Sequence, residues 1–167
     1  SFCTSCARGK IASAQSATTC VECNAGKYQD LSGQGECISC TVGQYAAAGV
    51  MTCTDCAIGA YDADSDASSP CMACPAGTVA SAARQVACTD CPAGKRMLSA
   101  TTPICQTCTA GYVSAARATA CTACQKGTYD HDGSAATACA LCDVGTYSGV
   151  AANSCIHCQI GRASCRE

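Results

Sequence analysis

The chain has 167 residues, of which 21 are cysteine and 33 are alanine, and its formal net charge is only −2. Leu, Ile, Val and Phe number 18 in total and Trp is absent, so the large side chains that supply most of the burial energy of an ordinary core are missing. Ten basic residues against twelve acidic ones exclude a strongly basic nucleic-acid-binding surface, and no apolar run is long enough to span a membrane. A cysteine share above a tenth instead indicates a small cross-linked scaffold.

The paired cysteines define the organisation of the chain. Twenty of them fall in ten C-x-x-C pairs that begin at positions 3, 20, 37, 53, 71, 88, 105, 121, 139 and 155. Every second pair follows the previous one at a constant interval, at positions 3, 37, 71, 105 and 139, whereas the pairs between them shift by a single position. A longer or shorter interval between two pairs is thus compensated by the following interval. We therefore predict 34-residue modules, each made of two half-units. The predicted boundaries are 3–36 for repeat 1, 37–70 for repeat 2, 71–104 for repeat 3, 105–138 for repeat 4 and 139–158 for a partial repeat 5.

A weaker similarity recurs at every second module. Tyr61-Asp62-Ala63-Asp64 recurs as Tyr129-Asp130-His131-Asp132, and Ile11-Ala12-Ser13-Ala14 recurs as Val79-Ala80-Ser81-Ala82. Duplication of a two-module segment explains both similarities without any functional requirement.

Each half-unit reads C-x-x-C-x-x-G, and a tyrosine or aliphatic residue usually follows two positions after the glycine. A glycine at a fixed offset indicates a backbone position with positive φ or a close approach of another segment. We therefore predict a tight turn, then a short extended segment whose tyrosine lies against a disulfide. We expect little helix, because the Ala-rich stretches that follow are too short to hold one. The turn glycines are Gly9, Gly26, Gly43, Gly59, Gly77, Gly94, Gly111, Gly127 and Gly145. The packing tyrosines are Tyr28, Tyr45, Tyr61, Tyr129 and Tyr147.

Disulfide bonding in an oxidising compartment and tetrahedral zinc coordination both use such cysteine pairs. Zinc ribbons separate their pairs by about 15 to 20 residues, whereas 12 to 14 residues separate the pairs here. A redox C-x-x-C belongs beside a βαβ pattern, which the chain lacks. We predict disulfides and keep an intracellular four-cysteine zinc-binding array as an alternative. The cysteines expected in bridges are Cys3, Cys6, Cys20, Cys23, Cys37, Cys40, Cys53, Cys56, Cys71, Cys74, Cys88, Cys91, Cys105, Cys108, Cys121, Cys124, Cys139, Cys142, Cys155 and Cys158.

The spacing leaves the connectivity of these bridges open. A crossed pattern joins first to third and second to fourth cysteines, as in Cys3–Cys20 with Cys6–Cys23. A ladder joins the second cysteine of one pair to the first of the next, as in Cys6–Cys20. The strict 34-residue register slightly favours the crossed pattern, and a uniform 17-residue period fits the ladder better. A closed loop of about 15 residues contributes about 3 kcal/mol in the chain-entropy model, so two bridges are comparable to the whole stability expected of a module.

Two segments resemble a known family. Cys74-Pro75-Ala76-Gly77-Thr78-Val79 and Cys91-Pro92-Ala93-Gly94 resemble the C-x-x-C-P-x-G-T-Y signature of ephrin-receptor-like cysteine-rich repeats, which are similar to tumour-necrosis-factor-receptor and EGF-like modules. The resemblance implies an extracellular, elongated, β-poor rod of the kind found in receptor ectodomains, matrix proteins and protist surface proteins. The few prolines and many alanines depart from the family pattern.

The last residues are expected to differ from the rest. Cys165 is the one cysteine outside the register, and the sequence of residues 160–167 resembles the translation of a common sequencing-library adapter. We therefore expect residues 159–167 to be a non-native tail, and we expect the chain, which has no initiator methionine, to be a piece of a longer one. The alternative is a native end in which Cys165 pairs with Cys158.

Other candidate sites are weaker. Two short runs of alternating carboxylates supply the oxygen ligands that Ca²⁺ prefers, but the EF-hand pattern fails in both, so solvated turns are the preferred interpretation and no metal or cofactor is expected. No Ser/His/Asp, H-E-x-x-H or phosphate-loop signature occurs, so an enzyme is not expected. The 33 serines and threonines make O-linked glycans an open expectation. The weak calcium candidates are Asp62, Asp64, Asp66, Asp130 and Asp132.

We thus predict a small disulfide-rich fold of tandem 34-residue cysteine-rich repeats, with two CxxC half-units each, short β-hairpins and little helix, that together form an elongated rod. Each module of such a stack touches only its neighbours, and no module carries an aromatic or arginine cluster of the kind that anchors a partner. The predicted function is that of an extracellular structural protein, secreted or at the cell surface, acting as a filament or coat subunit or a spacer. The expected partners are other copies or neighbouring repeats of a longer chain, with no nucleic acid and no membrane insertion within this fragment. The alternative is the stalk or ligand-binding region of a cell-surface receptor or adhesion protein.

Overall fold

The computed structural model describes residues 5–12, 19–98 and 104–159, and the regular structure in these ranges is antiparallel β. Strands of two or three residues pair into nine two-stranded hairpins, and the described ranges contain no helix. The predicted small disulfide-rich class with tandem repeats and short hairpins is therefore confirmed. The hairpins are β1 (Lys10–Ile11) with β2 (Val21–Glu22), β3 (Lys27–Tyr28) with β4 (Ile38–Ser39), β5 (Gln44–Tyr45) with β6 (Thr54–Asp55), β7 (Ala60–Tyr61) with β8 (Met72–Ala73), β9 (Thr78–Val79) with β10 (Thr89–Asp90), β11 (Lys95–Met97) with β12 (Cys105–Thr107), β13 (Tyr112–Val113) with β14 (Thr122–Ala123), β15 (Thr128–Tyr129) with β16 (Ala140–Leu141), and β17 (Thr146–Tyr147) with β18 (Ile156–His157).

Between the described cysteines, nine disulfides each join the second cysteine of one pair to the first cysteine of the next. This is the ladder, so the slight preference for the crossed pattern is wrong. We call the segment closed by each bridge a ring and number the rings 1 to 9. In chain order the bridges are Cys6–Cys20, Cys23–Cys37, Cys40–Cys53, Cys56–Cys71, Cys74–Cys88, Cys91–Cys105, Cys108–Cys121, Cys124–Cys139 and Cys142–Cys155.

The hairpin explains why the ladder forms. The first strand follows the turn glycine, and its partner strand includes the two residues between the cysteines of the next C-x-x-C pair. In ring 1, Ile11 pairs with Val21, which brings the Cα atoms of Cys6 and Cys20 to 5.6 Å. Cys23 lies beyond the opposite end of that strand, where its amide donates to the carbonyl of Gly9 at 2.9 Å. Its side chain therefore starts the next ring instead of returning to Cys6.

Sulfur occupies the places that large apolar side chains fill in an ordinary core. The largest fully buried side chains of the described residues are all cysteines, namely Cys6, Cys23, Cys56, Cys91 and Cys124. The one hydrophobic cluster found among the described residues combines a buried cysteine of this kind with Val79 and Met97. The scarcity of large aliphatics in the sequence is thus matched by a core made of disulfides.

The described chain divides into two compact units. The first comprises Ser1–Cys74 with Ala80–Cys88, and the second comprises Pro75–Val79 with Thr89–Glu167. Each unit contains one bridge with a sequence separation of 13 followed directly by one with a separation of 15. This pair of a short ring and a long ring recurs at the same two-module interval as the weak sequence similarity, which therefore has a structural counterpart. A further short ring, closed by Cys142–Cys155, follows in the second unit. The 34-residue repeat boundaries stay a prediction.

Some expectations fall outside the described residues, namely those for Cys3, for residues 160–167 of the tail and for Cys165. Cys158 is disulfide-bonded. Within the described ranges, nothing helical is long and apolar enough to cross a bilayer.

Candidate functional site

The contacts that join one ring to the next recur along each unit, and in a repeat protein such contacts between neighbours carry the stability of the array. The amide of the turn glycine donates a hydrogen bond to a carbonyl of the following ring. The N···O distance is 2.8 Å from Gly9 to Gln29 and 2.8 Å from Gly26 to Ala46. The same bond recurs at three further glycines, Gly59, Gly94 and Gly127.

The acceptor of this bond lies at one fixed position, three residues after the next turn glycine, which we call the docking position. In rings 2 to 9 the residue at this position is buried, with at most 9% of its surface exposed. Its own amide often donates onward to the loop of the ring that follows, as from Ala46 to Ala67 at 2.9 Å and from Ser114 to Ala135 at 3.0 Å. One residue thus connects three successive rings. The docking residues of these rings are Gln29, Ala46, Asp62, Ala80, Met97, Ser114, Asp130 and Ser148.

A third contact joins six of the turns to the ring two places further on, at Gly9, Gly26, Gly43, Gly77, Gly94 and Gly111. All nine predicted turn glycines have positive φ, between +78° and +86°. A Cβ on Gly77 would overlap the carbonyl oxygen of Arg117, and a Cβ on Gly111 would overlap that of Ala151. The turn therefore needs glycine twice, for its backbone conformation and for the close approach of another backbone.

Two rings replace the main-chain acceptor at the docking position with a carboxylate. Asp62 Oδ2 accepts from the amide of Gly43 at 2.9 Å, and Asp130 Oδ2 accepts from the amide of Gly111 at 3.1 Å. Both aspartates are buried, at 6% and 4% exposure. They lie in the two long rings, so this variant contact follows the longer, two-module period.

Removal of the Asp62 carboxylate is expected to be costly. In Asp62→Ala the buried amide of Gly43 loses its acceptor, which destabilises the first unit by about 1–3 kcal/mol. Asp66→Ala is the matched control, because that carboxylate is exposed and serves only its own turn, and it should cost under about 0.5 kcal/mol. Thermal unfolding and hydrogen exchange at the Gly43 amide measure both variants. Equal losses in the two variants would contradict the structural role of Asp62.

The remaining acidic residues of these rings form local turns. Asp64 Oδ1 accepts from the amide of Asp66 at 3.0 Å and from the Ser69 hydroxyl at 3.0 Å. Asp132 Oδ1 accepts from the amide of Ser134 at 2.9 Å and from the Thr137 hydroxyl at 2.8 Å. No group of three or more His, Cys, Asp or Glu that could hold a metal occurs in the part of the chain that is described. The carboxylates of the five weak calcium candidates thus accept hydrogen bonds from within the protein, and the structure does not gather them into one site.

These turns make a titration prediction. The backbone amide of Asp66, followed by the Ser69 hydroxyl, lowers the pKa of Asp64 below its ordinary value. A lowered folded-state pKa means that the contribution to stability is present above the unfolded pKa and is lost as the pH falls through the folded one. Ser69→Ala should therefore move the pKa of Asp64 upward in a carboxyl NMR titration. Ser68→Ala should leave it in place, because Ser68 donates only its backbone amide, to Asp66. A pKa of Asp64 unchanged by Ser69→Ala would be evidence against this contact.

The predicted packing tyrosines take a more exposed place than the docking residues that follow them. Tyr28, Tyr45, Tyr61, Tyr129 and Tyr147 are all half-buried. Tyr28 and Cys53, a bridge cysteine of ring 3, line the same shallow cleft of about 300 Å³. The sequence drew attention to the tyrosines and missed the docking position one residue later, where the side chains differ in type and only their backbone contacts recur.

The comparisons with known proteins agree with this architecture in one part of the chain. Residues 9–45 and 43–81 match the family model described as tyrosine-protein kinase ephrin type A/B receptor-like. The two matches are adjacent repeats, and nine disulfides in tandem fit a cysteine-rich repeat, so the resemblance stated from the sequence is confirmed. A search of the curated proteins found no match.

Proposed function

We propose that this chain is an extracellular structural protein, a disulfide-stapled rod of tandem repeats that acts as a spacer or as a subunit of a filament or coat. The observation that supports it most directly is the backbone contact from one ring to the ring two places on, as from Gly77 to Arg117. Such contacts use main-chain atoms that every ring possesses, so they can propagate along an array of any length.

The extracellular location rests on two kinds of support. The matched family is an extracellular type of module. Among the described residues, nine disulfides join eighteen cysteines to one another, and such bonds persist in oxidising compartments and are rare in the cytosol. The alternative of an intracellular zinc array would need these cysteines as free thiolates. We propose that the protein is secreted or held at the cell surface, without catalytic activity.

Small-angle X-ray scattering tests the rod. A compact globular chain of this length has a radius of gyration of about 15 Å, and the proposed rod should exceed that value by at least half in the oxidised protein. The reduced protein provides the reference for an unfolded chain. An oxidised particle as compact as a globule would refute the rod.

A receptor stalk is the second candidate, because the matched family model is described by a receptor. Sedimentation velocity over a range of concentrations separates the two roles. A filament or coat subunit should self-associate as its concentration rises, whereas a stalk should stay monomeric. Monomeric behaviour at all concentrations, combined with an extended shape, would favour the stalk over the filament.

A further inference from the structure

We propose that the disulfide ladder makes this chain a tension-bearing tether whose length is capped by its bridges. The nine bridges follow one another without overlap. Cys6–Cys20 is complete before Cys23–Cys37 begins, and only two residues, Val21 and Glu22, separate the rings. A pull on the two ends therefore passes from bridge to bridge and bypasses the residues enclosed by each ring.

The distances define how far such a chain can extend. Each bridge spans 5.4 to 5.8 Å between Cα atoms, and the three backbone steps of a C-x-x-C segment add at most about 11 Å. One repeat of bridge and linker thus cannot exceed about 17 Å while its sulfurs are bonded. The enclosed loops, with sequence separations of 13 to 15, would each span about 45–50 Å if they carried the load.

The ladder limits the length of the chain more strictly than the crossed pattern would. With crossed bridges, the segment between the last cysteine of one module and the first of the next, such as Cys23 to Cys37, would have no bridge across it and would stretch freely. In the observed ladder that segment is itself closed by a bridge. From Cys6 to Cys155, therefore, the bridged path leaves no ring interior under tension.

The load path runs through the linker residues, which form the second strand of each hairpin, such as β4 and β6. The turn glycines, the first strands and the docking residues lie inside closed rings. Hydrogen bonds from later rings onto this path, such as that from the amide of Arg117 to the carbonyl of Cys91 at 2.8 Å, can break as the linkers straighten without changing the covalent limit on length. This limit holds whether or not the array is a rod.

Reduction removes the limit on chain length one bridge at a time. A thiolate of dithiothreitol attacks one sulfur of a bridge, which forms a mixed disulfide and releases the other cysteine as a thiolate. The second thiol of the same reagent then displaces the protein sulfur and closes the reagent's own disulfide. Two electrons pass to each bridge, both cysteines end as thiols after protonation, and the chain gains the hidden length of that ring, about 40 Å.

Single-molecule stretching at constant force tests the tether, with the whole chain held through tags fused to its two ends. Between Cys6 and Cys155 the oxidised chain should never exceed about 17 Å for each repeat of bridge and linker, and dithiothreitol should then add discrete steps of about 40 Å each. An oxidised chain longer than this limit, or a smooth extension with dithiothreitol, would overturn the proposal.

A bridge-deletion variant sharpens this test. Cys74→Ser combined with Cys88→Ser removes one bridge and should lengthen the fully stretched oxidised chain by about 40 Å. The control Ser81→Ala changes an exposed residue of the same ring and should leave the length unchanged. The result depends on covalent connectivity and not on whether ring 5 still folds, and an unchanged length in the double variant would overturn the proposal. A compact particle in solution scattering would refute the rod while leaving this test intact.

Discussion

The substitution Gly111→Ala is expected to disrupt the backbone contact between ring 7 and ring 9. The backbone there has φ of +80°, and the added Cβ would overlap the carbonyl oxygen of Ala151. An L-residue in the left-handed region costs about 1–2 kcal/mol, and forcing apart two packed backbones adds about 1–3 kcal/mol. Hydrogen exchange should accelerate at the amide of Ala151, which donates to the carbonyl of Cys124 at 2.8 Å in the native protein.

Gly127→Ala is the matched control for that variant. Gly127 has φ of +78°, but a Cβ built on it meets no described atom within 4 Å. It should therefore show only the conformational cost of about 1–2 kcal/mol and leave the exchange of the Ala151 amide unchanged. If the two substitutions destabilise the second unit equally, the close approach of the Ala151 backbone does not contribute to stability. Glycine would then be needed at these turns only because of their positive φ.

The glycines show how far sequence reasoning can reach. Their constant offset from the cysteines predicted a special backbone position, and the structure gives all nine a positive φ. The segments that cover them were not predictable, because Gly49, Arg84, Arg117 and Ala151 contribute a carbonyl group and share no side-chain property. A backbone contact between segments that are distant in the chain leaves no pattern in the side chains.

The docking position was missed for a related reason. Its residues include Gln, Ala, Met and Ser, and what recurs is a main-chain amide and carbonyl. Asp62 and Asp130 were interpreted as parts of solvated turns because they belong to acidic runs. The carboxylate of each instead accepts from a glycine amide, where five other rings offer a main-chain carbonyl. A single sequence does not reveal which member of an acidic run is buried.

The connectivity of the bridges was left open because both patterns satisfy the same spacing. Their difference lies in the hairpin, whose second strand includes the two residues inside the C-x-x-C pair. That strand holds the two cysteines of a pair at its opposite ends, so their side chains belong to different rings. Strands of two residues show too little alternation of apolar and polar residues to be recognised in a sequence. Without these strands, the sequence alone does not distinguish the ladder from the crossed pattern.

A bridge with a fully buried cysteine should contribute more to the free energy of unfolding than a bridge whose two cysteines are half-buried. Cys91 is 0% exposed and packs with Val79 and Met97, whereas both cysteines of the Cys74–Cys88 bridge are half-buried. The two rings have the same sequence separation of 14, so removal of either bridge costs about 3 kcal/mol in loop entropy. The variant that combines Cys91→Ala with Cys105→Ala should lose about 1 kcal/mol more, because it leaves a cavity in the cluster.

Hydrogen exchange and thermal unfolding of the two double variants measure this difference. The amide of Met97, which donates to the carbonyl of Ala118 at 2.9 Å, reports on the cluster and should exchange faster only when the Cys91 bridge is removed. The Cys74→Ala and Cys88→Ala variant has the same loop entropy and therefore isolates the burial term. A larger loss from that half-buried bridge would mean that the sulfur atoms are not the core of this fold, and that its stability comes from the backbone contacts between rings.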